Sequence, residues 1–577
     1  MLSLIFLITC ALSWQECLAT AQNSTYFNPV LSGWHSDPSC IQVDGTFYCV
    51  TSTFIAFPGL PIYASRDLIN WRLISHAWNR ESQLPGASNQ THGQQEGFYA
   101  ATIRHHDGEF WVICEYLGLP GGMLATIFKS SDPYTETSWA DPITFITPAG
   151  DLDLFWDDDG KLYIPAGGAV LLDVDLATGE ILDSTALWSG TGGVWPEGPH
   201  LYRKDGYYYI SSAEGGTELG HYQVMARSTS LTGPYEPCPY NPVLTNKGTD
   251  EYFQTVGHAD LFQDLSGNWW GVALSTRSGP EWSIYPMGRE TVLFPVTWDE
   301  GEWPVMEPVR GEMSGWPLPQ TDRNLPGDGL FNADRDMYDF PAGSRFPLNL
   351  LYWRAPPEGA FSIAPEGGLR ISPSRANLTG DGDELDGRLG ISFVGRVQTD
   401  SLFKFQVLLD AHPPYVDHEA GVTLFLTQNN HADLGIVSRA ADSCKNSTER
   451  VLRFRAVGDT APPENIVTVP ETWGAGPILL TIEAVNATHF TFLASSDSQT
   501  EEPIEVGTVS GRLVSGQSGP FTGTILGVYA TCNGSGDGSR CPPDGDVYVK
   551  RWTYAGHGQL YTSSEVRPSS NYTSFGG

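Results

Sequence analysis

The chain has 577 residues, a formal net charge of −35, 17% charged side chains and 12% aromatic ones. That length exceeds what one hydrophobic core holds and sets an expectation of two domains of roughly 250 to 300 residues. The negative charge repels phosphate and excludes nucleic acid and anionic membranes as partners; a neutral ligand is unaffected, and 18 Trp and 24 Tyr offer flat faces of the kind that stack on sugars.

At the N-terminus, MLSLIFLITCALSW is an apolar run too short to span a bilayer comfortably, and Ala19-Thr20-Ala21 follows it as a small-x-small cleavage site. Residues 1–21 therefore read as a secretory signal and the mature protein as secreted and soluble, since no other uninterrupted apolar stretch approaches 18 residues. Asn-x-Ser/Thr sequons at Asn23, Asn89, Asn377, Asn446, Asn486, Asn533 and Asn571 fit export through a glycosylating pathway. Once Cys10 and Cys17 leave with the signal, seven cysteines remain, so at least one stays free or pairs between chains. Cys532 and Cys541 bracket the loop NGSGDGSR and are expected to bridge locally. If Asp44-Gly45 forms a two-residue turn, Cys40 falls opposite Cys49, which permits a second bridge without requiring it.

Beyond the signal, a turn followed by an aromatic pair recurs five times: DGTFY at 44, DGEFW at 107, DGKLY at 159, DGYYY at 205 and SGNWW at 266. The turn glycines Gly45, Gly108, Gly160, Gly206 and Gly267 stand 46 to 63 residues apart, room for one four-stranded sheet per unit. Five such sheets set radially make a five-bladed β-propeller over residues 22–310, and helical periodicity is scarce. Eight or nine residues before each glycine stand Asp37, Tyr99, Asp151, Glu197 and His258. In a propeller the innermost strand of each blade starts at the central funnel, so these five positions converge there.

Three carboxylates gathered in one place repel one another and push their pKa values apart, a cost rarely retained for structure alone. One acid held protonated and another held ionised are what hydrolysis of a glycosidic bond needs: the first protonates the leaving oxygen and the second activates a water. The third can tune its neighbours.

At these residues the sequence resembles glycoside hydrolase family 43, and most closely its secreted fungal members. The matching segments are HSDPSC at 35, DLDLFWDDDGKLY at 151, PEGPHLYRKDGYYYI at 196, AEGGTEL at 213, VGHADLF at 256 and MGRETV at 287. The resemblance implies an inverting, exo-acting or debranching enzyme on xylan, arabinoxylan or arabinan. It implies Asp37 as general base, Glu197 as general acid and Asp151 as the carboxylate that raises the acid's pKa and orients it. It also implies that His258 holds water or a central cation and that Arg289 contacts the sugar or the acid. The chain departs from the family pattern with Leu152 where a proline usually follows the acid, and with Tyr99 where a Trp is often found. Asp153 is a rival to Asp151, because strand alternation would place both on one face.

Arg289 also has a plainer reading as the surface partner of Glu290. Phe54 and Tyr99 are candidate walls of a sugar pocket, with packing between blades as the competing explanation. The run Asp157-Asp158-Asp159-Gly160 resembles the start of a calcium loop but lacks its remaining ligands, and it reads as a turn. The chemistry requires no cofactor; the resemblance allows a calcium ion in the central channel or on the second domain.

Residues 311–329, rich in Pro and Gly, read as a linker. From 330 to 577, segments such as FKFQVLLD, GVTLFLTQ and PILLTIEAV alternate or run apolar for five to eight residues between turns, which predicts an antiparallel β-sandwich. The resemblance implies a concanavalin-like sandwich that either buttresses the propeller or lends a loop to the rim of the active site. The fold class is thus all-β. The reading is a hydrolase that removes terminal α-L-arabinofuranosyl or β-D-xylosyl groups from a plant polysaccharide or oligosaccharide, against the alternative of an inactive sugar-binding propeller. The sequence carries no signal for an oligomeric state.

Overall fold

Five antiparallel sheets of four strands each follow one another along the chain, spanning residues 36–78, 97–146, 155–186, 197–237 and 253–306, with strand order matching chain order in every sheet. In this computed structural model, residues 24–380, 390–440, 448–498, 501–516, 521–535 and 541–569 are described. The signal segment expected at 1–21 and the sequons at Asn23, Asn446 and Asn571 lie outside them. The sheets are the blades of the predicted five-bladed propeller. Its ring is closed by the chain on either side of it: Thr25–Phe27 pairs with Glu312–Ser314, and the Asn28 side chain donates to the carbonyls of Leu293 and Arg310 while accepting from the Leu293 N–H. Apolar faces from neighbouring blades interlock between the sheets, as where Phe47 of blade one meets the edge of Phe262 of blade five at 5.9 Å.

The repeated turns come in two kinds. Asp44-Gly45, Asp107-Gly108 and Asp205-Gly206 have both residues at positive φ, as a two-residue type I′ hairpin requires. In blades three and five the Asp159-Gly160 and Ser266-Gly267 pairs have only the glycine there, and each closes a longer turn through Gly160 N to Asp157 O and Gly267 N to Asp264 O. That extra length decides the register at the funnel. One residue at the start of each innermost strand is left-handed: Asp37 (φ 50°), Ala100 (44°), Asp151 (50°), Gly198 (53°) and His258 (53°). These stand eight residues before the turn glycine in blades one, two and four, and nine before it in blades three and five. The structural equivalents are thus Asp37, Ala100, Asp151, Gly198 and His258, while Tyr99 and Glu197 sit one residue earlier. The hydrogen-bond register slips at the same points, between Ser36 and Ser39, Tyr99 and Thr102, Glu197 and His200, and Gly257 and Asp260. A bulge of this kind re-aims side chains at the edge of a sheet, here toward the axis.

The second half forms a seven-stranded and a nine-stranded antiparallel sheet packed face to face. Their shared core is built from the inward positions of the predicted strands, Phe403, Phe405, Val422, Leu424, Leu480 and Trp552 among them. Glu419–Thr427 is buried along its whole length. One of its faces lies in the sandwich core, while Phe425 on the other, with Phe393 and Ile525, packs against Trp34 and Phe54 of the propeller. The stretch expected as a linker is laid across blade one: Arg72 donates to the carbonyls of Leu325 and Gly329, and Asp322 N to Asp67 Oδ2. Both anticipated bridges, Cys40–Cys49 and Cys532–Cys541, are formed, and Cys114 and Cys238 are buried free thiols.

Candidate active site

The starts of the five innermost strands open onto a cavity of about 810 Å³ at one end of the propeller axis, whose wall includes Asp37, Tyr99, Asp151, Glu197, His258 and Arg289. Phe54 is not among them, which corrects the expectation that it forms a wall of the pocket. It is fully buried, stacked on Trp34 at 5.9 Å with the edge of Tyr99 at 4.6 Å, so it backs Tyr99 and touches no ligand space. The wall is completed from the sandwich by Phe521, whose carbonyl accepts from the hydroxyl of Ser36, next to Asp37.

Asp37 is held on both sides. Ser52 Oγ donates to its Oδ2 at 2.7 Å, and Arg289 Nη1 stands 3.6 Å from Oδ1. Arg289 is itself buried, donates to Thr217 Oγ1 at 2.6 Å and lies 4.5 Å over the Phe521 ring. Its plainer reading as a surface partner of Glu290 fails, because Glu290 is buried and taken by Arg277 at 2.6 and 2.8 Å and by the Gly33 N–H. The site therefore has one carboxylate oxygen paired with a guanidinium on the cavity wall, a place where a water can be held and deprotonated.

Asp151 serves as a clamp. Its Oδ2 accepts the Gly198 N–H at 2.8 Å, which fixes the peptide that follows Glu197, and its own N–H donates to Glu115 Oε2 at 2.9 Å. Burial first, and then the charge of Asp151, pushes the Glu115 carboxyl well above its usual range. Asp151 is raised too, by burial and by Glu197, with His258 working against the rise. Gly198 has to be glycine: at φ +53° a Cβ would stand 2.9 Å from the His258 ring.

Glu197 faces His221, whose Nε2 is 3.4 Å from Oε1. His221 Nδ1 is 2.9 Å from the carbonyl of Thr255, which can only accept, so Nδ1 carries a proton. In the neutral ring Nε2 is then bare, and the only favourable meeting with Glu197 has one proton between the two groups, either as imidazolium and carboxylate or as imidazole and carboxylic acid. Burial works to raise Glu197, but His221, by hydrogen bonding and charge, together with His258 and Arg289, outweighs it and leaves the carboxyl below the ordinary glutamate range. That lowering runs against the expectation that Asp151 raises the acid's pKa.

One turn of strand deeper, two residues beyond each left-handed position, lies a second ring that includes Ser39, Asp153, His200 and Asp260. Arg104 fills it: its guanidinium is 2.9 Å from Asp153, 2.8 Å from Asp260, 3.1 Å from His200 Nδ1 and 3.2 Å from Ser39 Oγ. Asp153 is therefore not a rival to Asp151. The two would share a face only on a regular strand, and the left-handed turn at 151 sends Asp151 to the cavity while Asp153 is buried beneath it. The same guanidinium takes up the acids that an axial calcium ion would need, and among the described residues no group of three or more His, Cys, Asp or Glu is arranged to hold a metal.

Glu115, His221 and Phe521 escaped the sequence reading. Glu115 and His221 lie off the counted offset from the turns, and Phe521 arrives from 484 positions beyond Asp37, beyond the reach of any local pattern.

Residues 26–304 match the family described as Glycosyl hydrolases family 43, and residues 338–543 match the Beta xylosidase C-terminal Concanavalin A-like domain. The chain is 35% identical over 553 residues to a non-reducing end alpha-L-arabinofuranosidase of Bacteroides ovatus, covering 93% of this chain and 96% of that one. It is 30% identical to a xylosidase/arabinosidase of Butyrivibrio fibrisolvens, covering 89% and 97%. Among solved structures, a xylan beta-1,4-xylosidase from Bacillus halodurans superposes with a TM-score of 0.77 at 25% identity, over 92% of this chain and all of the other.

Proposed function

Because the chain belongs to the glycosyl hydrolases of family 43 and is a glycosidase, we propose that it removes terminal α-L-arabinofuranosyl or β-D-xylosyl groups from arabinoxylan or xylo-oligosaccharides, with inversion at the anomeric carbon. The observation that carries this reading is the meeting of Asp37 and the Glu197–His221 pair on one cavity.

In the proposed reaction, a water held between Asp37 and Arg289 attacks the anomeric carbon and gives a proton to Asp37 as the new C–O bond forms. The bond to the leaving oxygen breaks on the opposite face, and Glu197 delivers a proton to that oxygen. Asp151, through the Gly198 N–H, keeps Glu197 aimed. Release of product lets solvent return the protons to their starting places. No step calls for a cofactor. The relatives named for arabinofuranosidase and xylosidase activity support the pentosyl substrate class, and the apolar leader with Ala19-Thr20-Ala21 supports action outside the cell.

The test is turnover of para-nitrophenyl arabinofuranoside, para-nitrophenyl xyloside and wheat arabinoxylan, with the product anomer followed by NMR in the first minutes. Inversion yields the anomer opposite to that of the substrate. Release of the substrate's own anomer would refute the single-displacement scheme, and a lack of pentose from all three would refute the substrate class.

A further inference from the structure

Two features at the mouth of the cavity have no part in the reaction above. Trp195, two residues before Glu197, is 75% exposed, and its neighbour Val194 is 59% exposed. Single exposed apolar side chains are ordinary, but Trp195 also has φ +55°, a left-handed backbone that a bulky residue adopts only when its surroundings impose it.

The surroundings here are built to impose it. Buried Glu214 accepts the N–H of Thr191 at 2.6 Å, the hydroxyl of Thr191 at 2.5 Å and the N–H of Gly193 at 2.9 Å. Gly215 N donates to Val194 O, and Gly168 N to Pro196 O. The segment 191–196 is thus anchored on both sides of Trp195, and the anchored backbone holds the residue at the edge of the cavity with its indole largely uncovered. Nearby, Trp282 also lines the cavity at φ +46°, its ring stacked on Tyr285 at 5.2 Å and 14°.

Geometry leaves one direction for a leaving group. Arg104 fills the ring two residues beyond Asp37, Asp151 and His258 of the cavity wall, so the part of a substrate beyond the scissile oxygen points away from it, to the open side where Trp195 lies. Glu197 must reach that oxygen, which brings the first ring of the leaving group into the neighbourhood of residue 195. We propose that Trp195 is the platform on which the leaving-group sugar ring stacks, a binding subsite for a neutral pentopyranose whose apolar face covers the indole. This rests on the reaction proposed above and adds to it a residue that discriminates among substrates by what lies beyond the bond that is cut.

The experiment compares wild type, Trp195→Gly and Trp195→Phe on two substrates with the same departing pentosyl group: xylobiose, whose leaving group is a ring, and methyl β-D-xylopyranoside, whose leaving group is not. For an enzyme that prefers arabinofuranose, the pair becomes arabinofuranosyl-xylobiose and methyl α-L-arabinofuranoside. Glycine keeps the left-handed backbone without strain, so only the side chain is removed. The ratio of kcat/KM for the ring-bearing substrate to that for the methyl glycoside is expected to fall at least tenfold in Trp195→Gly and to return to within threefold of wild type in Trp195→Phe. An equal loss on both substrates, or no loss on either, would overturn the subsite, because it would mean that the indole only steadies Glu197 or does nothing. A wild type inactive on all four compounds would instead bring down the reaction itself, an outcome separable from the variant pattern.

Discussion

Replacing Arg104 with methionine keeps an unbranched side chain in the axial ring and removes its charge. Asp153 and Asp260 are then left facing each other with almost no exposure, at the places where the guanidinium had stood 2.9 and 2.8 Å away. Breaking a buried pair by deleting one partner costs about 3–5 kcal/mol, mostly because an uncompensated charge stays behind. The pH dependence has a definite sign. Burial alone would raise Asp260, but Arg104, His200 and Ser39 outweigh it and hold its carboxyl well below the usual range. In the wild type this contribution is fully present above the unfolded aspartate value of about 3.9 and is lost as the pH falls through the lower, folded value. In Arg104→Met the two acids can escape their penalty only by taking up protons, so the variant's deficit is expected to be largest at pH 7 and to shrink toward pH 4.5. Urea unfolding followed by tryptophan fluorescence at both pH values measures it, and a triple variant adding Asp153→Asn and Asp260→Asn is expected to recover at least half of the loss. Because Asp153 and His200 lie two and three residues beyond Asp151 and Glu197, kcat is expected to fall in the single variant as well. A deficit under about 1 kcal/mol at pH 7, or one unchanged by acid and by the triple substitution, would refute the view that a central cation holds the ring together.

Glu197→Gln keeps the shape of the acid and removes its proton, so kcat on arabinoxylan is expected to fall by about 10² to 10⁴, the usual worth of a general acid; activity within tenfold of wild type would remove Glu197 from that role. In His221→Phe the charge that lowers Glu197 is gone while burial still raises it, so the basic limb of the kcat/KM profile is expected to move to higher pH, and an unmoved or falling limb would contradict the hold of His221 on that carboxyl. Glu115 has a raised folded value, so its contribution to stability is present below the unfolded value and declines as the pH rises toward the folded one. Glu115→Gln is accordingly expected to flatten the fall in urea midpoint between pH 5 and pH 8, and equal slopes in the two proteins would count against a proton held there.

The propeller was legible because its hairpin turns depend on local chemistry: Asp-Gly and Ser-Gly pairs with aromatic neighbours mark five strands that must begin at a common axis. Counting back from those glycines reached Asp37 and His258 directly. It also reached Tyr99 and Glu197, although the left-handed positions of their blades are Ala100 and Gly198, because a type I′ turn is one residue shorter than the turns of blades three and five. The pairing of Asp151 with Asp153 misled because strand alternation was assumed through a residue whose φ of +50° breaks it. Phe54 misled for another reason: an aromatic near the funnel can face the ligand or support the residue that does, and only the sandwich packed behind it decides. Arg104, Glu115 and His221 act through partners 24 to 156 positions distant, and no spacing rule connects them.

Phe521 reaches the pocket from the far half of the chain, and the hydroxyl beside Asp37 is tied to its backbone. A shortened gene that stops after the last blade would therefore encode a catalytic bowl with a missing side, and chimeras that exchange C-terminal halves between relatives would transplant a piece of the substrate's surroundings. Recombination at the apparent module boundary becomes a route to altered selectivity, because what resembles an accessory is stitched into the reaction chamber.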